Sequence, residues 1–372
     1  MTTGFCFDER TLWHSTGESV LFLPPGRWLQ PLAAGGHAEG PETKRRFKNL
    51  MDVSGLSRKL AVETAPLASE EALRRIHPVS YLAEFQRLSE GEGGMLGEES
   101  PFGNGGFEIA AQSAGLAIHA MDKVLTGQWQ NGYSLSRPPG HHCMPDHSMG
   151  FCLLANIPVA IEEMKARHGL GKVAVVDWDV HHGNGTQAIY WDRPDVLTIS
   201  LHQSACYPVH LGTVAERGGG KGEGTNINAP LLPGGGHESY LAAMDRIVLP
   251  ALRRFKPELI VVASGLDANP FDPLARMMAH SGTYRAMTER LMQAAKDLCG
   301  GRLVMVHEGG YSEAYVPFCG HAIMETLSGQ KTEVVDPFLE LAELQQPPAE
   351  FVALENQRLA GMADAYGLAG AA

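Results

Sequence analysis

The chain has 372 residues, of which 44% are apolar and 19% are charged, and its formal net charge is −12. This composition excludes a disordered or collagen-like chain and allows a sizeable buried core. The negative charge argues against a protein that binds nucleic acid or a membrane surface. Neither a long apolar run nor a basic segment followed by an apolar one is present, so we expect a cytoplasmic protein without a membrane span.

Four short apolar runs predict strands that are buried on both faces of a parallel sheet. In chain order they are 172–177, 196–201, 259–264 and 303–307. The intervening segments favour helices, at 157–168, 238–255 and 283–298. This alternation predicts a doubly wound α/β fold, in which ligands bind beyond the carboxyl ends of the strands.

Segments rich in glycine or proline predict three long loops, at 17–41, 90–106 and 206–233. The six cysteines are scattered without a C-x-x-C pair, so we expect free thiols rather than a cysteine zinc site. A further helix is predicted at 349–365. No change of composition marks a domain boundary, so we expect a single domain over 1–372, with a core at about 5–330 and a helical appendage at 334–372.

The segment 173–187, VAVVDWDVHHGNGTQ, carries the strongest chemical signature. Asp177, Asp179 and His181 alternate as the chain leaves an apolar strand, so they point to one side while the strand persists. Carboxylates at such a buried position are costly unless they are paired or bind a metal. The spacing therefore predicts a divalent-metal site. The alternative is a polar strand-to-helix turn, in which an Asp or Asn caps the next helix.

Three other segments add reactive side chains. The stiff turn of SRPPGHH holds His141 and His142, although a lone histidine pair is typical of ordinary polar surface. Asp267 follows the run 259–264, and Tyr311 follows HEGG after the run 303–307. Each of these two, taken singly, also fits an ordinary strand-end turn.

Taken together, the strand ends supply the groups of one reaction. Asp179, His181 and Asp267 provide three ligands and leave a position open, as in catalytic metal sites. A ligand set of nitrogen and oxygen without thiolate favours Zn²⁺ over Fe²⁺, Co²⁺ or Mn²⁺. The neighbouring histidines are candidate acid–base groups, and a tyrosine hydroxyl can donate to an oxyanion.

These motifs resemble the histone deacetylase family, specifically its class II members and the bacterial histone deacetylase-like amidohydrolases. The matching stretches are RPPGHH (137–142), MGFC (149–152), DWDVHHGNGTQ (177–187), ISLHQ (199–203), NINAPL (226–231), SGLDANPFDP (264–273) and EGGY (308–311). Weaker similarity extends through ETKRRF (42–47) and HPVSYL (77–82). The resemblance implies a single arginase-like α/β domain with an eight-stranded parallel sheet and helices on both faces.

The resemblance also implies the catalytic roles. His142 would act as the general base and then as the general acid, while His141 stays mainly electrostatic. Asp177 would bond His141, and Asn184 would bond His142, with Asn in the class II pattern. Tyr311 would bind the oxyanion.

Two metal sites follow from the same resemblance. One catalytic Zn²⁺ would be bound by Asp179, His181 and Asp267. A structural K⁺ would be bound by Asp177, Asp179, His181, Ser200 and Leu201.

The substrate site is implied in the same way. Phe151 and Tyr207 would form the walls of a tunnel for an acyl-lysine chain, with Gly150 and Gly310 beside it. Tyr207 replaces the usual Phe. Leu274 stands at the rim, where polyamine-specific relatives carry a Glu, so an acetylpolyamine is a less suitable substrate.

The sequence thus predicts zinc-dependent hydrolysis of Nε-acyl-lysine or a related N-acyl amine. Acetylpolyamine amidohydrolase is the alternative, with its acidic rim residue supplied by Glu18 or Glu223. A catalytically silent module that binds acyl-lysine or a metal fits the residues less well, as does a two-metal ureohydrolase. The expected partner is an acylated lysine peptide or a small N-acyl amine. Neither nucleic acid nor a membrane is expected, and a homo-oligomer is left open.

Overall fold

The computed structural model describes residues 2–17, 20–23 and 36–369. The strands of its central sheet are β1 (Thr2–Cys6), β2 (Ala61–Glu63), β3 (Trp129–Ser134), β4 (Val173–Asp177), β5 (Val196–Gln203), β6 (Asn226–Leu231), β7 (Leu259–Ser264) and β8 (Leu303–His307). In space the eight strands follow the order β6-β5-β4-β7-β8-β3-β1-β2, and every neighbouring pair is parallel. The predicted eight-stranded parallel sheet is thereby confirmed.

Helices follow or separate these strands along the described part of the chain. They are α1 (Glu42–Val53), α2 (Glu70–Arg74), α3 (Val79–Ser89), α4 (Gly106–Leu125), α5 (Asn156–His168), α6 (Asn184–Ile189), α7 (His237–Ala243), α8 (Leu249–Phe255), α9 (Ser281–Cys299), α10 (Val316–Ser328), α11 (Leu339–Leu344) and α12 (Ala349–Ala365). None of these described helices is long and apolar enough to cross a bilayer.

The sheet is buried on both faces, as its apolar strands predict. Alternate residues of β4 point into two different cores. Ala174 and Val176 lie in a core with α1, α7, α9 and α10, whereas Val173 and Val175 lie in a core with α3, α4 and α5. Because both faces are covered by helices, the strands are apolar at successive positions rather than at alternate ones.

The helix predicted at 238–255 contains one irregular turn. It consists of α7, a π-helical turn at Met244–Val248, and α8. Pro250, at the start of α8, has no backbone N–H to donate to the carbonyl four residues earlier, which favours a wider turn at that point.

The loop prediction for 206–233 was wrong at its end, because β6 lies within it. This strand, NINAPL, contains two asparagines and Pro230, and an edge strand tolerates the proline because one of its sides has no ladder. Within the loop predicted at 90–106, residues 94–95 pair with 101–102 in a small antiparallel ladder. Of the loop predicted at 17–41, residues 18–19 and 24–35 lie outside the described residues.

The C-terminal segment packs against the edge strand β6. Helix α12 has the predicted bounds. The Tyr366 hydroxyl accepts a hydrogen bond from the backbone N–H of Asn228 at 3.0 Å, and the buried Glu355 carboxylate accepts one from Leu232 N at 3.3 Å. The appendage therefore covers a sheet edge that would otherwise expose unpaired backbone groups.

Candidate active site

The predicted metal ligands converge in the middle of the sheet. Asp179 and His181 follow β4, and Asp267 follows the neighbouring strand β7. Their ligand atoms lie within 4.8 Å of one another, and all three side chains are buried. The Nδ1 atom of His181 is 3.0 Å from Asp179 Oδ1 and 3.3 Å from Asp267 Oδ2.

The chemistry of this cluster fits a divalent cation. Asp267 Oδ1 accepts a hydrogen bond from Val180 N at 2.8 Å, but its Oδ2 is buried without a hydrogen-bond partner among the described residues. Burial and the nearby charge of Asp179 raise the pKa of Asp267 to about 6. A cation would relieve the cost of burying these two carboxylates, and a set of two carboxylates and one imidazole suits Zn²⁺.

A glycine after β8 allows the loop to approach the cluster. Gly309 N donates to Asp179 Oδ2 at 2.8 Å. A Cβ atom at Gly309 would overlap Asp267 Oδ2, and it would lie 3.0 Å from the hydroxyl of Tyr311. Position 309 therefore requires glycine, and the Tyr311 hydroxyl lies beside the same carboxylates.

The two adjacent histidines lie next to the cluster, with ring centroids 3.9 Å apart. His141 Nδ1 is 3.0 Å from Asp177 Oδ2, and His142 Nδ1 is 2.8 Å from Asn184 Oδ1. Because a carboxamide oxygen can only accept, Nδ1 of His142 carries a proton in this contact. Its other nitrogen, Nε2, is then the basic one in the neutral ring.

Their electrostatic environments shift the pKa values of the two rings in opposite directions. Burial alone would lower the pKa of His141, but the carboxylates of Asp179 and Asp177 outweigh it and raise the pKa to about 10. Burial and the positive charges of His141 and His181 hold the pKa of His142 well below its usual value. The site thus combines a cationic imidazole with a neutral one that can accept a proton.

The sequence reasoning missed Glu308, a fully buried carboxylate beneath the histidines. Its Oε2 accepts hydrogen bonds from Gly140 N at 2.6 Å and His141 N at 3.0 Å, which fixes the turn that carries both rings. Burial raises the pKa of Glu308 to about 7. The position of Glu308 directly after β8 was the available signal.

A second group of possible ligand atoms includes this carboxylate. His141, Cys152 and Glu308 bring ligand atoms within 4.8 Å of one another. Burial raises the pKa of the Cys152 thiol well above its usual value, and this disfavours a thiolate ligand. The cluster of Asp179, His181 and Asp267 is therefore the better candidate for a metal.

A pocket of about 170 Å³ leads to these groups. Its lining residues are Phe22, Glu99, His142, Gly150, Phe151, His181, Cys206, Tyr207, Leu274 and Tyr311. Phe151 packs edge-on against Tyr311 with ring centroids 5.8 Å apart, and Tyr207 packs edge-on against His142 at 4.9 Å. The two predicted tunnel residues therefore lie against two of the predicted catalytic residues.

The two glycines of the predicted substrate site differ in position. Gly150 lines the pocket, and a Cβ atom there would lie 2.5 Å from His142 Cδ2 and 2.8 Å from Tyr207 Cε1. Gly310 is not among the described residues that line the pocket. It has a φ of +126° and packs against Leu266 and Val316 behind Tyr311.

Asp272, also missed at the sequence level, connects Tyr311 to the pocket rim. One carboxylate oxygen accepts from Tyr311 N at 2.8 Å, and the other accepts from Leu274 N at 2.9 Å. Burial and the charge of Asp267 raise the pKa of Asp272 to about 8. Burial and nearby carboxylates also raise the pKa of Tyr311, so its hydroxyl remains a proton donor at neutral pH.

The pocket also contains an acidic side chain that the sequence did not predict there. Glu99 is half-buried and lines the pocket together with Leu274. Burial and the neighbouring charge of Glu98 raise its pKa. The acidic candidates named from the sequence differ, because Glu223 is exposed and does not line the pocket, and Glu18 lies outside the described residues. Only tertiary structure reveals the position of Glu99.

Of the residues predicted for K⁺, Asp177 ends β4, Asp179 and His181 follow it, and the other two lie in the neighbouring strand β5. Asp177 and Ser200 are register partners. Asp177 Oδ1 accepts from Asp179 N at 3.0 Å, and the Ser200 hydroxyl is 2.9 Å from His202 Nδ1. Leu201 follows in β5. The potassium site stays a prediction.

Comparisons with known proteins identify the family of this chain. Residues 37–327 match the family model described as "Histone deacetylase domain". The chain is 60% identical over 366 residues to a "Histone deacetylase-like amidohydrolase" of Pseudomonas aeruginosa, covering 98% of this chain and 96% of that protein. It is 35% identical over 295 residues to a "Probable deacetylase" of Archaeoglobus fulgidus, covering 78% and 81% of the two chains.

A solved structure gives the same assignment. The crystal structure of the HDA15 HD domain superposes with a TM-score of 0.84 at 29% sequence identity, covering 99% of this chain and 98% of that one. The family model and the two relatives carry hydrolytic deacetylase or amidohydrolase names. This chain therefore belongs to the histone deacetylase family of amide-hydrolysing enzymes.

Proposed function

We propose that this chain is a zinc-dependent amidohydrolase that removes acyl groups, acetyl in the first place, from Nε-acyl-lysine or a related N-acyl amine. The observation that carries the proposal is the cluster of Asp179, His181 and Asp267 at a pocket that His142 and Tyr311 also line. Three protein ligands and an open position are typical of catalytic rather than structural zinc.

The proposed roles follow from the chemistry of each group. Zn²⁺ held by the cluster would supply a Lewis acid for the acyl carbonyl and increase the acidity of water. His142, neutral and with Nε2 free, would accept a proton from the attacking water and later donate it to the leaving amine. The Tyr311 hydroxyl would donate to the oxyanion, and protonated His141 would stabilise negative charge nearby.

The pocket walls support a lysine-derived substrate. Phe151 and Tyr207 are aromatic, and each buried methylene of a lysine stem gains about 0.8 kcal/mol. The apolar Leu274 at the rim offers no partner for a second ammonium group.

Acetylpolyamine hydrolysis is the second candidate function, and Glu99 is the observation that favours it. Its carboxylate lines the same pocket and is half-buried, so it could pair with a cationic amine of the substrate. We still place acyl-lysine first, because Glu99 is a single half-buried acidic group, whereas Phe151, Tyr207 and Leu274 give the pocket aromatic and apolar sides.

The remaining parts of the proposal concern the setting of the enzyme. We propose a single domain that binds a structural K⁺ at Asp177, Asp179, His181, Ser200 and Leu201. We further propose that the enzyme acts in the cytoplasm on an acylated peptide or a small N-acyl amine, without binding nucleic acid. The net charge of −12 supports the last point.

Metal dependence gives the first prediction. The isosteric variant Asp267→Asn removes a buried ligand charge, so zinc should fall from about one per chain to near zero and deacetylation should be lost. Elemental analysis and a fluorogenic acetyl-lysine assay measure both. The control Glu99→Gln should retain zinc. Full activity after exhaustive chelation, with no metal by elemental analysis, would contradict the proposal.

The histidine pair gives the second prediction. His142→Ala should lower kcat by roughly 10²–10⁴ while zinc stays bound, because the proton-transfer group is lost. His141→Ala should lose less. In the pH profile of kcat/KM, the acidic limb of the His141→Ala variant should also move to higher pH. The reason is that removing a neighbouring positive charge raises the pKa of His142. Equal, mild losses in both variants would show that neither ring transfers protons in the slow step.

Substrate choice gives the third prediction. The wild type should prefer acetyl-lysine over acetylputrescine and acetylspermidine by at least about tenfold in kcat/KM, roughly 1.4 kcal/mol. Leu274→Glu should narrow this gap by adding a partner for the second ammonium group. Glu99→Gln should widen it, while leaving acetyl-lysine turnover within about twofold.

The matched pair of variants separates an electrostatic effect from a structural one. A general loss of stability would lower turnover of both substrate classes, and thermal denaturation would reveal it. Faster turnover of an acetylpolyamine than of acetyl-lysine by the wild type would overturn the order of the two candidate functions.

A further inference from the structure

A cluster of three charged side chains is completely buried behind the pocket. The carboxylate oxygen Glu39 Oε1 is 3.0 Å from Lys44 Nζ and 3.1 Å from Arg137 Nε, and the three side chains are at most 1% exposed. The guanidinium of Arg137 also donates to the backbone carbonyls of Thr11, His14 and Glu39. The cluster thus joins the start of α1 to the turn that carries both histidines.

The cluster carries a surplus positive charge. One carboxylate faces two cations, and a buried charge of this kind needs further stabilisation. Arg137 obtains it from the carbonyls. Lys44 Nζ instead lies over the ring of Tyr311, 5.7 Å from its centroid. An ammonium group over an aromatic face is attracted by the negative face of the ring, most strongly where water is excluded.

Tyr311 is therefore held from several sides. Its backbone N–H is bound by Asp272, and Phe151 packs against its ring edge-on. Its hydroxyl lies beside Asp179 and Asp267, as the space at Gly309 shows. His181 also packs edge-on against the ring, at a centroid distance of 6.3 Å. Among the described residues, Lys44 supplies the cation over the face of the ring, a contact that is most favourable at one tilt.

We propose that Lys44 is a positioning residue for Tyr311. Its ammonium group, anchored by Glu39, holds the ring so that the hydroxyl stays directed at the reacting carbonyl. The inference rests on the proposed function, in which Tyr311 donates to the oxyanion. It assigns a role to a residue of α1 that lines no part of the pocket.

A mutant cycle tests the proposal. Lys44→Met keeps an unbranched side chain, one atom shorter and without the charge, and leaves Glu39 paired with Arg137, so the remaining buried charges balance. We expect kcat to fall about tenfold with KM within about twofold, since the loss falls on the transition state. In the Tyr311→Phe background, which lacks the hydroxyl, the same substitution should change kcat by less than about twofold.

Lys48→Met is the matched control. Lys48 lies one turn later in α1, is paired with Asp52 and lies 5.5 Å from the ring centroid of Phe7, away from the pocket. It should leave kcat within about twofold. If Lys44→Met does not fold, Lys44→Gln, which can still donate to Glu39 without carrying a charge, takes its place in the same cycle.

A spectroscopic readout separates this inference from the proposed function. Fluorine NMR of protein containing 3-fluorotyrosine reports on the nine tyrosines, and Tyr311→Phe identifies the resonance of interest. Lys44→Met should shift that resonance and Lys48→Met should not. An unchanged Tyr311 resonance, or an equal loss of kcat in the wild-type and Tyr311→Phe backgrounds, would overturn the inference. A wild type without deacylase activity would contradict the proposed function. The NMR comparison would still show whether the Lys44 ammonium group acts on the Tyr311 ring.

Discussion

Two carboxylates that share a buried position at the carboxyl ends of β4 and β7 are the constraint on which the rest of the site depends. Asp179 and Asp267 are both fully buried, and the oxygen atoms of each face the His181 ring. Burial of two such charges is costly without a compensating cation. A divalent metal bound beside His181 would supply such a cation.

The surrounding structure supports these two carboxylates in successive layers. Protonated His141, between Asp177 and Asp179, adds a positive charge, while Gly309 N donates directly to Asp179. Glu308 holds the histidine turn from below. Farther out, Arg137 and Lys44 surround Glu39, and Lys44 extends this network to the Tyr311 ring. Each layer comes from a different part of the chain, so the site exists only in the folded sheet.

The sequence was informative where local pattern and chemistry coincide. The strands β4, β7 and β8 are apolar runs that end in polar residues, and they are followed within a few residues by Asp179, Asp267 and Tyr311. The strands β3 and β6 were not predicted from local pattern, because they contain Gly, Asn or Pro. Their extended conformation depends on pairing with neighbouring strands. Burial by partners distant in sequence cannot be read from local periodicity.

The same distinction holds for the site. The predicted residues that come together belong to motifs that directly follow strands. Glu99 was missed because it lies in an irregular loop, and its place in the pocket depends on how that loop packs. Lys44 was missed because it lies in a charged helix segment typical of an exposed face, although it is almost completely buried. A sequence does not reveal which charges of an amphipathic helix point inward.

The central claim is that one metal ion is held by the residues that follow β4 and β7. X-ray anomalous scattering at the zinc edge, from crystals of protein loaded with one equivalent of Zn²⁺, tests it most directly. We expect a single peak bonded to Asp179, His181 and Asp267 at distances of about 2.0–2.2 Å. A peak at His141, Cys152 and Glu308 instead, or no peak among the three predicted ligands, would contradict it.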